Sequence, residues 1–198
     1  MKGLKKLNLG LVLAILVVIG VVIYCIKVES ERKSAKSDIS KACEEFIELD
    51  NKYAVLPEDK QVIGIKKADI NLADISSKAE AELREKMLTD DAAEIQSLIL
   101  KDVIEKQLIN TSKITTNFER KISKITSYQF DGNQVTVTFN SKISQKKKYK
   151  NEGDEAEKVS ENSFEIQGET ITLEKKDGNW KVVYASLQYV DPSSVITF

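Results

Sequence analysis

The chain has no histidine, two cysteines, two prolines, one tryptophan and three arginines, Arg32, Arg84 and Arg120. Without histidine neither a Ser-His-Asp nor a Cys-His constellation can be assembled, and the common zinc sites lose their usual nitrogen ligand. The two cysteines, Cys25 in an apolar run and Cys43 beyond it, offer no disulfide framework within a domain. Charge is abundant, but neither sign is in excess: 30 basic residues stand against 31 acidic ones. A near-neutral chain without a stripe of lysine and arginine is a poor partner for nucleic acid, and none is expected. No residue is assigned to catalysis, to a metal or to a cofactor.

What is present is one long run without charge. Residues 9–26 read LGLVLAILVVIGVVIYCI. At about 1.5 Å per helical residue this covers roughly 27 Å, close to the hydrocarbon thickness of a bilayer. Lys2, Lys5 and Lys6 precede it, and Lys27, Glu29, Glu31, Arg32 and Lys33 follow. A secretory signal begins in the same way, but residues 24–29 offer no small-residue cleavage site, so the run is read as an uncleaved anchor. Ile23 and Tyr24 stand where a lipobox would place small residues before Cys25. A type IV pilin would share the basic leader and a glycine such as Gly10. Ile15, however, stands where its glutamate belongs and Leu11 where its aromatic belongs, which leaves a pilin-like assembly subunit as a lesser alternative. The flanking positive charges nearly tie; the purely basic tail is placed in the cytoplasm and the folded part outside. The expected organisation is a cytoplasmic tail 1–8, a transmembrane anchor 9–26, a juxtamembrane helix 27–53 and the remainder of an α+β domain, 54–198.

Ala35, Ile39, Ala42, Cys43, Phe46, Leu49 and Tyr53 recur at three- and four-residue steps, the pattern of an amphipathic helix. Part of this set also fits a short coiled-coil heptad, with Arg32 breaking the seam; one helix lying on a sheet is the preferred reading. Pro57 ends that unit, and residues 61–75 fit no single period. A helix is expected over 77–88, with Ala79, Leu83 and Met87 on one face. Thr89 and Asp90 cap another over 91–109, whose apolar set is Ala92, Ile95, Leu98, Ile99, Val103 and Leu108. Residues 111–121 are polar and stay open between linker, helix tail and strand. The period then changes to two, giving strands at 125–130, 134–143, 164–175 and 180–190, with turns at Asp131-Gly132-Asn133 and Asp177-Gly178-Asn179. The apolar parity changes around Gly168, which predicts a bulge there. Residues 145–163 run basic and then acidic, and are read as a long solvated hairpin tip with its opposite charges facing.

Helices followed by antiparallel strands give an α+β class, with helices packed on a curved sheet of about four strands. The closing stretch ETITLEKKDGNWKVVYASLQYV, residues 169–190, resembles the end of nuclear transport factor 2-like (cystatin-like cone) domains. That resemblance implies helices filling a strongly curved antiparallel sheet. One span followed by such a domain is similar to bitopic scaffold subunits of type IV secretion and conjugation machines, to Mce-associated membrane proteins and to sporulation channel subunits. It implies a non-enzymatic interaction or scaffold module of a bacterial envelope complex at the plasma membrane; a lysine-rich, arginine-poor composition suits an AT-rich bacterial genome. The alternative is a small-ligand-binding cone domain. Trp180, Val182 and Tyr184 share one expected strand face and Val183, Ala185, Leu187 and Tyr189 the other. Tyr128, Phe139, Trp180, Val182 and Tyr184 form the candidate pocket or contact surface. The expected partners are the membrane, through residues 9–26, and other proteins or a second copy.

Overall fold

The computed structural model describes residues 9–151 and 153–189, which fall into two compact units dividing between Ser40 and Lys41. Helix α1, Leu9–Tyr53, runs unbroken for 45 residues, so the expected anchor and juxtamembrane segment are one helix. No proline interrupts it. In the first unit every side chain from Leu13 to Ile26 is exposed. Among the described residues this is the helix long and apolar enough to cross a membrane. Beyond the apolar run, Lys27–Glu31 and Glu29–Lys33 pair one turn apart at 3.9 and 3.5 Å, which suits a helix surface in water.

The second unit is built on a four-stranded antiparallel sheet in the order β1-β2-β3-β4: β1 Lys113–Asp131, β2 Gln134–Tyr149, β3 Lys158–Lys176 and β4 Asn179–Ser186. Both expected hairpin turns are present. Asp177 and Gly178 have φ of 51° and 85°, the pair of left-handed residues that a two-residue hairpin favours. The expected bulge is present as well: pairing slips between Phe139 and Ser141 opposite Glu169 and Ile166, with Gly168 at φ 75°.

The strands are longer than the sequence suggests. The polar stretch 111–121 is mostly strand, since β1 starts at Lys113. The expected solvated tip is largely ladder: β2 reaches Tyr149, β3 starts at Lys158, and Gln145 and Lys147 are buried. Opposite charges do meet there, with Lys146 and Glu161 directly paired across the strands at 2.9 Å. β4 ends at Ser186, four residues short of the expected boundary.

Edge strand β1 carries three further register shifts, skipping Thr116, Ser123 and Thr126. Each skipped residue has a hydroxyl, and each hydroxyl donates to a β2 carbonyl: Thr116 to Lys146 O at 3.2 Å, Ser123 to Asn140 O at 3.2 Å and Thr126 to Thr138 O at 3.0 Å. A bulge disrupts the ladder locally, and the side chain supplies a donor where the backbone pairing is interrupted. The bulges also bend the strand and blunt its outer edge against further pairing. Asn51 of α1 covers part of that edge, its amide donating to Arg120 O and accepting from Arg120 N–H, both at 2.9 Å. At the opposite edge residues 86–88 lie along β4. Val182 N–H donates to Lys86 O at 2.9 Å, and Leu88 N–H to Val182 O at 2.8 Å.

Helix α2 spans Leu72–Leu83 and starts earlier than expected because Asn71 caps it, its Oδ1 accepting from Asp74 N–H at 3.1 Å. Met87, expected on that helix, instead forms a parallel bridge with Val182. Helix α3 spans Asp90–Gln107 and is capped as expected, with Thr89 Oγ1 accepting from Ala92 N–H at 3.2 Å. Its buried face is not the expected one: Ala93, Gln96, Ser97, Leu100, Ile104 and Gln107 point inward, while Ile95, Leu98 and Ile99 are exposed. The core combines Val135, Val137, Phe139, Ile143, Ile171, Leu173 and Val182 of the sheet with Cys43, Phe46 and Ile47 of α1. A second cluster joins Leu56, Ile70, Leu72, Ile104, Leu108 and Ile114.

Candidate functional site

The most unusual chemistry lies inside the second unit. Asp50 comes from the last turn of α1, Gln96 from α3, Arg120 from β1, Ser141 from β2 and Glu169 from β3. Gln188 and Tyr189 follow β4. The side chains of Asp50, Arg120 and Glu169 are wholly buried. Glu169 is the residue immediately after the Gly168 bulge and sits opposite Phe139 on the core face of the sheet.

Arg120 is the hub. Its Nη1 meets Asp50 Oδ2 at 2.9 Å, its Nη2 donates to Gln188 O at 2.9 Å, and its Nε faces Glu169 Oε1 at 3.4 Å as an ion pair without a hydrogen bond. The guanidinium carbon lies 5.4 Å from the centre of the Phe118 ring and 5.1 Å from that of Tyr189. Gln96 Nε2 reaches Asp50 Oδ1 and the Tyr189 hydroxyl oxygen, both at 3.0 Å, and the Tyr189 hydroxyl donates to the same Asp50 oxygen. Glu169 accepts from Gln188 N–H at 2.8 Å and from the Ser141 hydroxyl.

Two carboxyl groups thus share one guanidinium in a place without water contact. Burial raises the Asp50 pKa above the usual carboxylate range, with the Arg120 charge working against it. Burial, and then the Asp50 charge, lifts the Tyr189 phenol well above its ordinary value. Such a cluster is a weak source of net stability, but breaking it by removing one partner is expensive. General acid–base work requires a group that can reach its substrate, and the side chains of Asp50, Arg120 and Glu169 have no exposed surface, while Gln188 and Tyr189 form the partly exposed rim of the cluster. Its geometry fastens elements together, joining α1, α3, three strands and the segment after β4. Cys43 is equally withdrawn: burial, aided by Glu44, pushes its thiol up to about 12, so it stays protonated at neutral pH. An open cleft of about 320 Å³ runs between Glu44, Ile47, Glu48 and Asn51 of α1 and residues 119–122 of β1. Among the described residues no group of three or more acidic or cysteine side chains could hold a metal ion.

The five residues expected to form a pocket or contact surface are divided by the structure. Phe139 and Val182 are core residues, and Tyr128 and Trp180 are half-buried. Tyr184 is exposed on the opposite face of β4. The register shift between Thr172 and Leu173 leaves Val183 unpaired, so Val182 and Tyr184, two apart in sequence, belong to opposite faces. The buried cluster is what the sequence reading missed. Its one available signal is Arg120 itself, one of three arginines in a lysine-rich chain, since a forked guanidinium suits buried carboxylates better than an ammonium does.

Fold and site together define a class: an α+β chain with a long apolar amino-terminal helix, a four-stranded antiparallel sheet with helices, and a buried charged cluster that joins them. No protein-family model matches this chain, and no curated protein sequence matches it.

Proposed function

We propose that the protein is a single-pass membrane-anchored interaction module, with residues 9–26 in the bilayer and the unit from Lys41 onward in an extracytoplasmic space of a bacterial envelope. The observation that carries this reading is the run of exposed apolar side chains from Leu13 to Ile26. In water that run would be a large contiguous apolar surface, and lipid removes the penalty. Support for an interaction role over an enzymatic one comes from the apolar side chains exposed on α3 and from the burial of the Asp50, Arg120 and Glu169 side chains. The order of elements and the closing Asp-Gly hairpin suit the nuclear transport factor 2-like layout of envelope scaffold subunits.

The full-length chain should sediment with membranes and resist an alkaline wash, and deletion of residues 1–26 should release it. Recovery of full-length chain in the soluble fraction would refute the anchor. Side is a separate measurement. Cys43 is too deeply buried to report it, so the probe is an exposed position, Gln129→Cys, in a chain with Cys25→Ala. A membrane-impermeant maleimide added to intact cells should label it; labelling only after lysis reverses the orientation.

A further inference from the structure

The outward face of α3 carries Ile95, Leu98 and Ile99, exposed by 59, 50 and 36 %, with Ala92 and Val103 half-buried beside them. The helix cannot rotate to hide them, because its inner face is tied. Gln96 holds Asp50 and Tyr189, Gln107 Nε2 donates to Ala54 O at 2.7 Å, and Ser76 donates to Ser97 at 3.3 Å. An apolar stripe on a helix with a fixed inner face is a docking surface. A partner that adds a strand is poorly served here, since β1 is bulged three times and residues 86–88 occupy part of the β4 edge.

Charge along the same face selects the occupant. Asp91 and Glu94 lie exposed at the amino end of α3, and Lys106 lies exposed at the carboxyl end, paired with Asp102 at 2.7 Å. An identical helix laid antiparallel places Asp91 opposite Lys106 and Leu98 opposite Ile99, both pairs sharing one midpoint. It also sets the two macrodipoles head to tail. We propose that α3 of a second copy covers this stripe, with the helices antiparallel about a two-fold axis between Leu98 and Ile99. A single helix pair buries far less than the roughly 1,600 Å² of a standard interface, so the contact is weak in free solution. Tethering both copies to one membrane raises their effective concentration and makes it sufficient. For that concentrating step the proposal rests on the anchored reading above.

The test is oxidative crosslinking of full-length chains in their membranes, with Cys25→Ala throughout and the buried Cys43 left in place. Leu98→Cys should form disulfide-linked dimers, whereas Gln129→Cys should not. Asp91→Cys and Lys106→Cys, carried on separately tagged copies, should link to each other and neither to itself. Adding Ile95→Glu to Leu98→Cys should lower the linked fraction about tenfold, an apparent weakening of about 1.4 kcal/mol, with unchanged melting. Self-linking of Asp91→Cys would mean a parallel pair and overturn the proposal. So would linkage only to a different protein, or a Leu98→Cys thiol shielded from maleimide in a monomer, which would mean that the stripe is covered within one copy. Sedimentation of the same sample reports the anchor separately: a soluble chain that still links through Leu98→Cys would sink the anchored reading and leave the pairing intact.

Discussion

The Arg120 cluster and the outer face of α3 invert the usual arrangement. Three formal charges lie at zero exposure, while isoleucine and leucine lie in the open about one helix diameter away on the same helix that supplies Gln96. Hydropathy alone would have placed each set where the other is. What decides is partnering: each charge of the cluster finds an opposite charge, and the inward glutamines and serine of α3 are hydrogen-bonded. Ile95, Leu98 and Ile99 are left outside because the inner face is already committed.

The strongest way to break this contrast is Arg120→Ala. It leaves Asp50 and Glu169 buried without a counter-charge, and should destabilise the folded unit by about 3–5 kcal/mol, read as a fall in the midpoint of denaturant unfolding. A variant with an unchanged midpoint would mean that the cluster is hydrated. Next is Gln96→Ala, which removes one donor to Asp50 and should cost about 1–3 kcal/mol by the same measurement.

The third prediction concerns pH. Burial raises the Asp50 pKa, so the folded chain keeps that proton at a pH where the unfolded chain, ionising near about 4, has released it. The contribution of Asp50 to stability is therefore full below the unfolded value and is lost as pH rises through the folded one. Asp50→Asn abolishes the titration. The melting temperature of the parent minus that of the variant should grow as pH is lowered from neutral towards 4; a flat difference contradicts the raised pKa. The smallest effect belongs to the other side of the contrast. Leu98→Ser should change monomer stability by no more than about 0.5 kcal/mol while reducing self-association, because that side chain is already half exposed in a single copy.

Much of the architecture could be read from the residues, and the failures share a cause. The Asp-Gly turns, the Thr89 cap and the Gly168 bulge rest on local backbone chemistry, which a sequence states directly. Strand β1 was only half legible because bulges at Thr116, Ser123 and Thr126 reset its parity, so Phe118, Ile122, Ile125 and Tyr128 follow no single alternation. The unpaired Val183 misled in the same way at β4 and split the expected contact surface. On α3 the periodicity was genuine but belonged to the outer face. The charge cluster was invisible because Asp50, Arg120 and Glu169 are separated by long stretches of chain and look like surface residues until the sheet brings them together.

The irregular residues after β4 bear on how the unit can be shortened. A chain cut after Ser186 would keep every helix and strand found among the described residues. It would lose the carbonyl that Arg120 holds, the amide that Glu169 holds and the phenol over Asp50. A truncation chosen from secondary structure alone would therefore open the interior to water at its most highly charged point, and a minimal fragment has to extend at least through Tyr189.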